Sequence, residues 1–401
     1  MASKGKEFRS NVFAKNPQFN YLPDGDRYLL EVDKPRYRFN VIGTGIMGQE
    51  HMRVTELEGR GTIHGIYDIN PRSIESAGQM FAMHAPGREL VIYDSLEAAC
   101  NEPAADALIL CTPNYTHIDI VRVAARSGKH ILLEKPMATT VADAREILLM
   151  ATKYPSVFQI GLQYRYKSIY REAIHEALER RTLGDIKTVS ILEHRIPFLD
   201  KVSQWNKFSE YSGGTLVEKC CHYFDLLNLF AGARPESVYA SGSMAVNFID
   251  FEYRGRKSDI LDNAMVIVTY ENGVRASFNL CMFSPMFYEE ITICGDEGRL
   301  RAFENEDYLA DPRPKSHMEI ICGEKRPSRI TTPTYPVYIE ASGHNGATYF
   351  EHRAFIDNMD GIATNTASAE EGYWSIVVGA AAEESAHSGN VVKIKDFLKK
   401  Q

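Results

Sequence analysis

Three observations predict an α/β chain: a doubly wound parallel sheet followed by an α+β domain with a large open, mainly antiparallel sheet. Between Tyr37 and about Ile160, short apolar runs of strand length alternate with helical patterns. A glycine-rich loop, Gly43-Thr44-Gly45-Ile46-Met47-Gly48, follows the first of those runs without a gap. Beyond Tyr164 the runs lengthen, alternate polar with apolar residues, and are joined by tight-turn sequences. The expected boundaries are an arm over residues 1–36, the parallel-sheet domain over 37–160 and the α+β domain over 161–401.

The arm mixes charge with Phe8, Phe13, Phe19, Tyr21 and Tyr28, which suits docking along the body or onto a neighbouring subunit better than a solvated tail. Tyr37 to Ile42 reads as the first strand. The loop after it is G-x-G-x-x-G opening a helix, the setting in which that pattern binds a dinucleotide. Gly43 permits the tight turn, Gly45 lets backbone approach a pyrophosphate, and Gly48 lets helix pack on strand; Ile46 and Met47 lie between them at the helix N-terminus. A second strand, Thr62 to Tyr67, ends in Asp68, about 20 residues past the loop, where a carboxylate reads the ribose. An acid there selects NAD and repels the 2′-phosphate of NADP, although Arg72 close behind leaves NADP as the lesser expectation.

Ala107 to Cys111, His130 to Glu134 and Val157 to Ile160 are the later strands of the same sheet, with helix starts at Asp94 (with Glu97) and Thr140 (with Asp143). Thr112, Pro113, Asn114 and His117 form a polar loop at the ligand end of the sheet, expected to border the nicotinamide side; His117 fits a cap or packing role there better than a catalytic one. Glu134-Lys135-Pro136 leaves an apolar strand, which aims Lys135 into the crevice where doubly wound sheets hold ligands. Pro136 restricts the backbone behind it.

In the α+β domain, a helix from about Ser168 to Arg180 precedes strands at Lys187–Ile196, Ser237–Val246, Ala264–Tyr270, Val274–Met282 and Glu289–Cys294. Glu271-Asn272-Gly273 and Gly295-Asp296-Glu297-Gly298 supply hairpin turns. Ser368 with Glu371 is a capping box opening a last long helix, and Val391–Ile394 a short final strand. Gly213 to Asp225 starts with glycines and continues as a helical pattern that puts Glu218, His222 and Asp225 on one face, a carboxylate–imidazole–carboxylate row fit for moving protons.

Composition narrows the function. A hydrophobic fraction of 44% over 401 residues supports two cores, and a net charge of −8 speaks against non-specific binding of nucleic acid or anionic membrane. No apolar run approaches the length of a membrane span and the N-terminus lacks a secretory apolar core, so cytoplasmic residence is the expectation. Seven cysteines without C-x-x-C fit neither a disulfide framework nor a structural zinc site, and the vicinal Cys220-Cys221 reads as buried packing. No metal is expected.

These motifs in this order resemble the Gfo/Idh/MocA family, over about Tyr37 to Ile394; Ile293-Cys294-Gly295-Asp296-Glu297-Gly298-Arg299-Leu300 adds to the likeness. The resemblance implies that Lys135 and His222 flank a substrate hydroxyl and that an acid one turn before the histidine completes the site. That acid is usually Asp, whereas this chain has Glu218, and Cys220 stands where Gly is common. The resemblance further implies Arg165, Tyr166 and Asp225 near substrate, and Glu134, Lys135 and Trp205 near the cofactor. The implied activity is NAD-dependent hydride transfer at a ring hydroxyl or ketone of a sugar, glycoside or cyclitol, by a homo-oligomer, dimer or tetramer. Two rivals remain open: tightly held NAD recycled between two sugars or in redox-assisted glycoside cleavage, and an NAD- or sugar-sensing regulator.

Overall fold

A computed structural model describes residues 35–306 and 315–401. The expected arm over 1–36 lies outside the described residues apart from its last two. The chain divides into two compact units, each assembled from separated stretches. The first takes the chain through Glu134 together with Met150–Gly161 and Val337–Thr366; the second takes Lys135–Leu149, Leu162–Pro336 and Ala367–Gln401.

The packing groups residues 337–366 with the first unit, whereas the sequence reading runs a single domain from 161 to 401. Residues 337–366 belong to the first unit for a physical reason: a parallel sheet needs cover on both faces. The helix Ala347–Met359 brings Phe355 and Ile356, both fully buried, into the cluster of Phe39, Val41, Ile109 and Leu132. Phe355 meets Phe39 edge-on, ring centroids 6.0 Å apart.

The first unit holds β1 (Tyr37–Ile42), β2 (Gly61–Tyr67), β3 (Val91–Ile92), β4 (Ala107–Leu110), β5 (His130–Glu134) and β6 (Phe158–Gly161) in the order β3-β2-β1-β4-β5-β6. Every neighbouring pair is parallel. The order reverses between β1 and β4, so the loops leaving those two strands flank the crevice at the switch point. The helix expected to be capped by Asp94 is capped instead one residue later, where Ser95 Oγ accepts from Ala98 N at 3.1 Å.

A second fastening in this unit is electrostatic. Glu50 Oε1 accepts from His344 Nδ1 at 2.7 Å and from Thr348 Oγ1 at 2.6 Å. Burial opposes the Glu50 carboxylate, yet the His344 charge and these bonds outweigh it and hold its pKa at about 2. A depressed folded-state value stabilises above the ordinary carboxylate range and the benefit disappears as pH falls through about 2. Glu50→Gln is therefore expected to lose up to about 3 kcal/mol at pH 7. Urea unfolding at pH 7 and again at pH 3 checks this, because the gap between variant and wild type narrows in acid.

The second unit is built on β7 (Ile186–His194), β8 (Pro235–Ser243), β11 (Asn263–Tyr270), β12 (Arg275–Cys281), β13 (Phe287–Gly295), β14 (Arg299–Glu306), β15 (Ser316–Ile321), β16 (Arg329–Thr331) and β17 (Val392–Lys393); β9 (Glu252–Tyr253) and β10 (Arg256–Lys257) form a separate ribbon. The large sheet runs β16-β15-β14-β13-β7-β12-β11-β8-β17 and is antiparallel except where β12 pairs with β7. Gly273, at φ +86°, makes the turn between β11 and β12. Alternation decides the faces: Ala264, Val266 and Val268 of β11 are buried, whereas Met265 and Ile267 are exposed. The capping box forms as drawn, Ser368 and Glu371 exchanging bonds at the start of the helix Ala369–Ser388. The helix expected over 168–180 changes character at His175, where wide π-type turns run to Glu179.

Candidate functional site

In the first unit the glycine loop is shaped by close approach. Gly43 has φ +90°, and a Cβ on it would stand 2.7 Å from the backbone of Cys111 and Thr112. A Cβ on Gly48 would stand 2.0 Å from the Gly43 carbonyl oxygen. A side chain at Gly43 would push the loop off the end of β4, and one at Gly48 would push the helix off the loop. Around Gly45, by contrast, an added Cβ meets nothing within 4 Å. The helix Ile46–Glu58 begins there with no side-chain cap and no acid in its first turn, Ile46 exposed and Met47 half-buried. Free N–H groups at an open, uncapped helix start fit a pyrophosphate.

Asp68 lies where β2 ends and already accepts from Thr44 N (2.6 Å) and, through its other oxygen, from Asn70 N (2.8 Å). It thus ties the loop after β1 to the end of β2. On the loop after β4, Thr116 Oγ1 lies 2.8 Å from Thr112 Oγ1 and 2.7 Å from the Pro113 carbonyl oxygen, and Asn114 is buried. His117, expected to border the cofactor, is buried, and Nε2 donates to the Thr112 carbonyl at 3.0 Å, which holds the loop. Glu134 likewise turns inward, its Oε1 2.9 Å from His51 Nε2, both side chains buried. His51 was not anticipated from sequence; its spacing from the glycine loop was the available signal.

In the second unit, Gly213 and Gly214 take φ +78° and +91°, and a Cβ on Gly214 would stand 2.4 Å from Glu383 Oε1. That carboxylate caps the next turn, accepting from Leu216 N at 2.8 Å. The helix expected through Asp225 is broken: Thr215–Glu218 and Cys221–Ala231 are separate, joined by a wide turn in which Lys219 N and Cys220 N both reach the Thr215 carbonyl. The single continuous helix expected to carry Glu218, His222 and Asp225 is thus interrupted between the first of them and the other two.

Lys135 comes to the first of these residues. Its Nζ donates to the Glu218 carbonyl at 3.2 Å and stands 4.0 Å from Glu218 Oε1; the Lys135–Pro136 peptide is cis. Burial would raise the Glu218 pKa, but the cations of Lys135, Lys201, Lys219 and Arg195 prevail and hold it below the ordinary carboxylate value. His222 is buried, its ring stacked on Tyr164 with centroids 3.9 Å apart and planes within 7°. Tyr164 Oη accepts from Lys219 Nζ at 2.6 Å, and Lys219 pairs with Glu193 at 3.1 Å. Tyr164 and Lys219 were both missed. Each directly precedes or follows a residue singled out from the sequence, Arg165 and Glu218, and that adjacency was the only signal.

Arg165 and Asp225 take each other as partners. Nε and an Nη of Arg165 donate to the two Asp225 oxygens at 2.6 Å each, with Glu371 at 2.7 Å, all within the second unit. Burial works against the Arg165 cation and the two carboxylates more than compensate, so its pKa rises. Asp225, expected near substrate, is the partner of Arg165 in a buried ion pair. Tyr166 is buried and its carbonyl accepts from Tyr335 Oη at 2.7 Å. Trp205 is buried in the second unit, Lys201 Nζ 6.0 Å from its ring. Burial raises both the Cys220 and Cys221 thiols, Cys221 to about 12, which removes thiolate chemistry at neutral pH.

Two family models match consecutive stretches of the chain. Residues 37–162 match the family model described as an oxidoreductase family NAD-binding Rossmann fold, and residues 175–394 match that family's C-terminal alpha/beta domain. A myo-inositol 2-dehydrogenase of Thermotoga maritima is 22% identical over 364 residues, 90% of this chain and 99% of that protein. A 1,5-anhydro-D-fructose reductase of Ensifer adhaerens is 24% identical over 306 residues, 76% of this chain and 84% of that protein. Among solved structures, a levoglucosan dehydrogenase in complex with NADH and levoglucosan has a TM-score of 0.73 at 18% identity, covering 89% of this chain and 99% of that chain, a likeness of fold. No helix among the described residues is long and apolar enough to cross a membrane. With both family segments matched and an open helix start fit for a dinucleotide, the chain belongs to the Gfo/Idh/MocA oxidoreductases and carries their NAD-binding Rossmann domain.

Proposed function

We propose that the chain is an NAD-dependent dehydrogenase acting on a CH–OH group of a sugar, glycoside or cyclitol. The observation that supports it most is the approach of Lys135 to Glu218, at the start of the segment that continues to His222. Bound NAD supplies the hydride acceptor. His222, as a neutral imidazole, takes the hydroxyl proton and returns it in the reverse direction. Lys135 hydrogen-bonds the same oxygen and stabilises the negative charge that develops on it. Glu218, kept ionised by its neighbouring cations, accepts from a second hydroxyl, which favours substrates with several hydroxyl groups.

The names of relatives agree in kind: a myo-inositol dehydrogenase, an anhydrofructose reductase and a levoglucosan dehydrogenase all act on polyhydroxylated rings or their ketones. Asp68 supports NAD over NADP because a carboxylate there repels a 2′-phosphate. The test begins by releasing and identifying any nicotinamide that copurifies. Inositols, hexoses and glucosides are then assayed with NAD and NADP by absorbance of the reduced ring, with the matching ketoses in the reverse direction. Turnover of at least one cyclic polyol, faster with NAD, is expected. Folded protein that binds NAD yet turns over none of them in either direction contradicts the proposal and favours the sensing role.

A further inference from the structure

The first unit contains a cluster of ionisable groups that the proposed chemistry does not use. His51 on the helix Ile46–Glu58, Glu134 at the end of β5 and Glu351 on the helix Ala347–Met359 place one imidazole nitrogen and two carboxylate oxygens within 4.8 Å of one another, all three residues buried. Glu351 is wholly inaccessible, and neither of its oxygens meets a hydrogen-bond donor among the described residues. Leaving an ionised carboxylate in that condition costs several kcal/mol. Some positive charge therefore belongs beside it.

The bonds around His51 fix which ring nitrogen carries hydrogen. Thr55 Oγ1 gives its one hydrogen to the His51 carbonyl at 2.8 Å, so it accepts from His352 Nδ1 at 3.2 Å. A neutral His352 carries its one ring hydrogen on that Nδ1. Its Nε2 is then a lone pair that accepts from His51 Nδ1 at 2.7 Å. His51 thereby turns Nε2 toward Glu134 Oε1, 2.9 Å away. A lone pair cannot face a carboxylate at that distance without a positive centre between or beside them. Imidazoles that bind metals are arranged in this way, one ring nitrogen donating to an outer acceptor and the other aimed at the ion. Gly161 keeps the place open, since a Cβ there would stand 3.1 Å from Glu134 Oε1.

We propose that His51, Glu134 and Glu351 form a binding site for one divalent cation of the zinc or manganese kind. One such ion balances the two carboxylates. One nitrogen with two carboxylate oxygens suits these ions better than magnesium, which prefers oxygen alone. Bonds of about 2.0–2.2 Å in a tetrahedral arrangement put ligand atoms about 3.4 Å apart, so the three groups adjust around the ion on binding. The ion would pin the end of β5, whose next residue is Lys135. The rival means of balance is two protons, one shared by His51 and Glu134 and one on Glu351. The site does not depend on the dehydrogenase reading.

The full-length protein is stripped with chelator, titrated separately with Zn²⁺ and Mn²⁺, and its bound metal measured by elemental analysis after gel filtration. One equivalent per chain is expected for at least one of the two ions, together with a raised Tm. Glu351→Gln, which keeps shape and removes charge, is expected to bind about tenfold or more weakly, and Glu351→Asp serves if that variant does not fold. Failure of the wild type to take up either ion overturns the proposal in favour of protons. Equal uptake by wild type and variant overturns it too, because the ion then sits elsewhere.

Discussion

Lys135→Ala is expected to lower kcat by about three orders of magnitude while NAD affinity stays within about threefold. The size follows from the work assigned to the ammonium. Stabilising a developing oxyanion is worth about 10²–10³, and a thousandfold loss corresponds to about 4 kcal/mol of barrier. The separation from NAD affinity follows from where the residues lie. The glycine loop and Asp68 are in the first unit, and Lys135 pairs with Glu218 in the second. A further consequence concerns Glu218, whose carboxylate is held ionised against burial by Lys135 before Lys201, Lys219 and Arg195. Removing Lys135 raises the Glu218 pKa, so the acid limb of the kcat/KM profile moves to higher pH. Combining Lys135→Ala with His222→Ala should cost far less than the product of the single losses, as for residues that act as a unit. Equilibrium NAD titration, steady-state kinetics and pH profiles of the three variants decide the matter. Turnover within tenfold of wild type in a variant that still binds NAD would remove Lys135 from the chemistry.

The parts of this molecule written in the sequence are those set by neighbouring residues. The strand, loop and helix from Tyr37 to Glu58 could be read because apolar period, glycine spacing and helix start all lie within a short stretch. The capping box of Ser368 and Glu371 is local for the same reason. What escaped is set by partners far along the chain. The place of the helix Ala347–Met359 is set by residues far from it along the chain, Phe39 meeting Phe355 among them. Spacing puts Glu218, His222 and Asp225 on one face, but the wide turn at Lys219 and Cys220 follows from what the flanking side chains meet: Lys135 for Glu218, Tyr164 and Glu193 for Lys219. Carboxylates read from sequence alone look alike. Glu134, Glu218 and Asp225 were all drawn toward ligands, whereas the structure gives Glu134 a buried imidazole and Asp225 a buried guanidinium.

Asp225→Ala is therefore expected to act on stability, with a loss of about 3–5 kcal/mol. Asp225 is 1% exposed and holds the fully buried Arg165 through two bonds of 2.6 Å. Deleting the carboxylate leaves the guanidinium with Glu371, whose side chain is 37% exposed and which also serves the cap at Ser368. A charge stranded in the interior costs far more than the pair contributed, because the desolvation already incurred is no longer offset. For a unit of this size the loss shifts Tm by about 10 °C. Asp225→Asn should fall between wild type and Ala, since an amide oxygen still accepts but carries no charge. Replacing both partners, Arg165→Met with Asp225→Leu, should recover much of the stability, because no uncompensated charge remains. Thermal and urea unfolding of the four proteins measures this, and the KM of the folded single variants tells the two roles apart. A raised KM with unchanged unfolding would return Asp225 to the substrate; lost stability with an unaltered KM is what a buried ion pair entails.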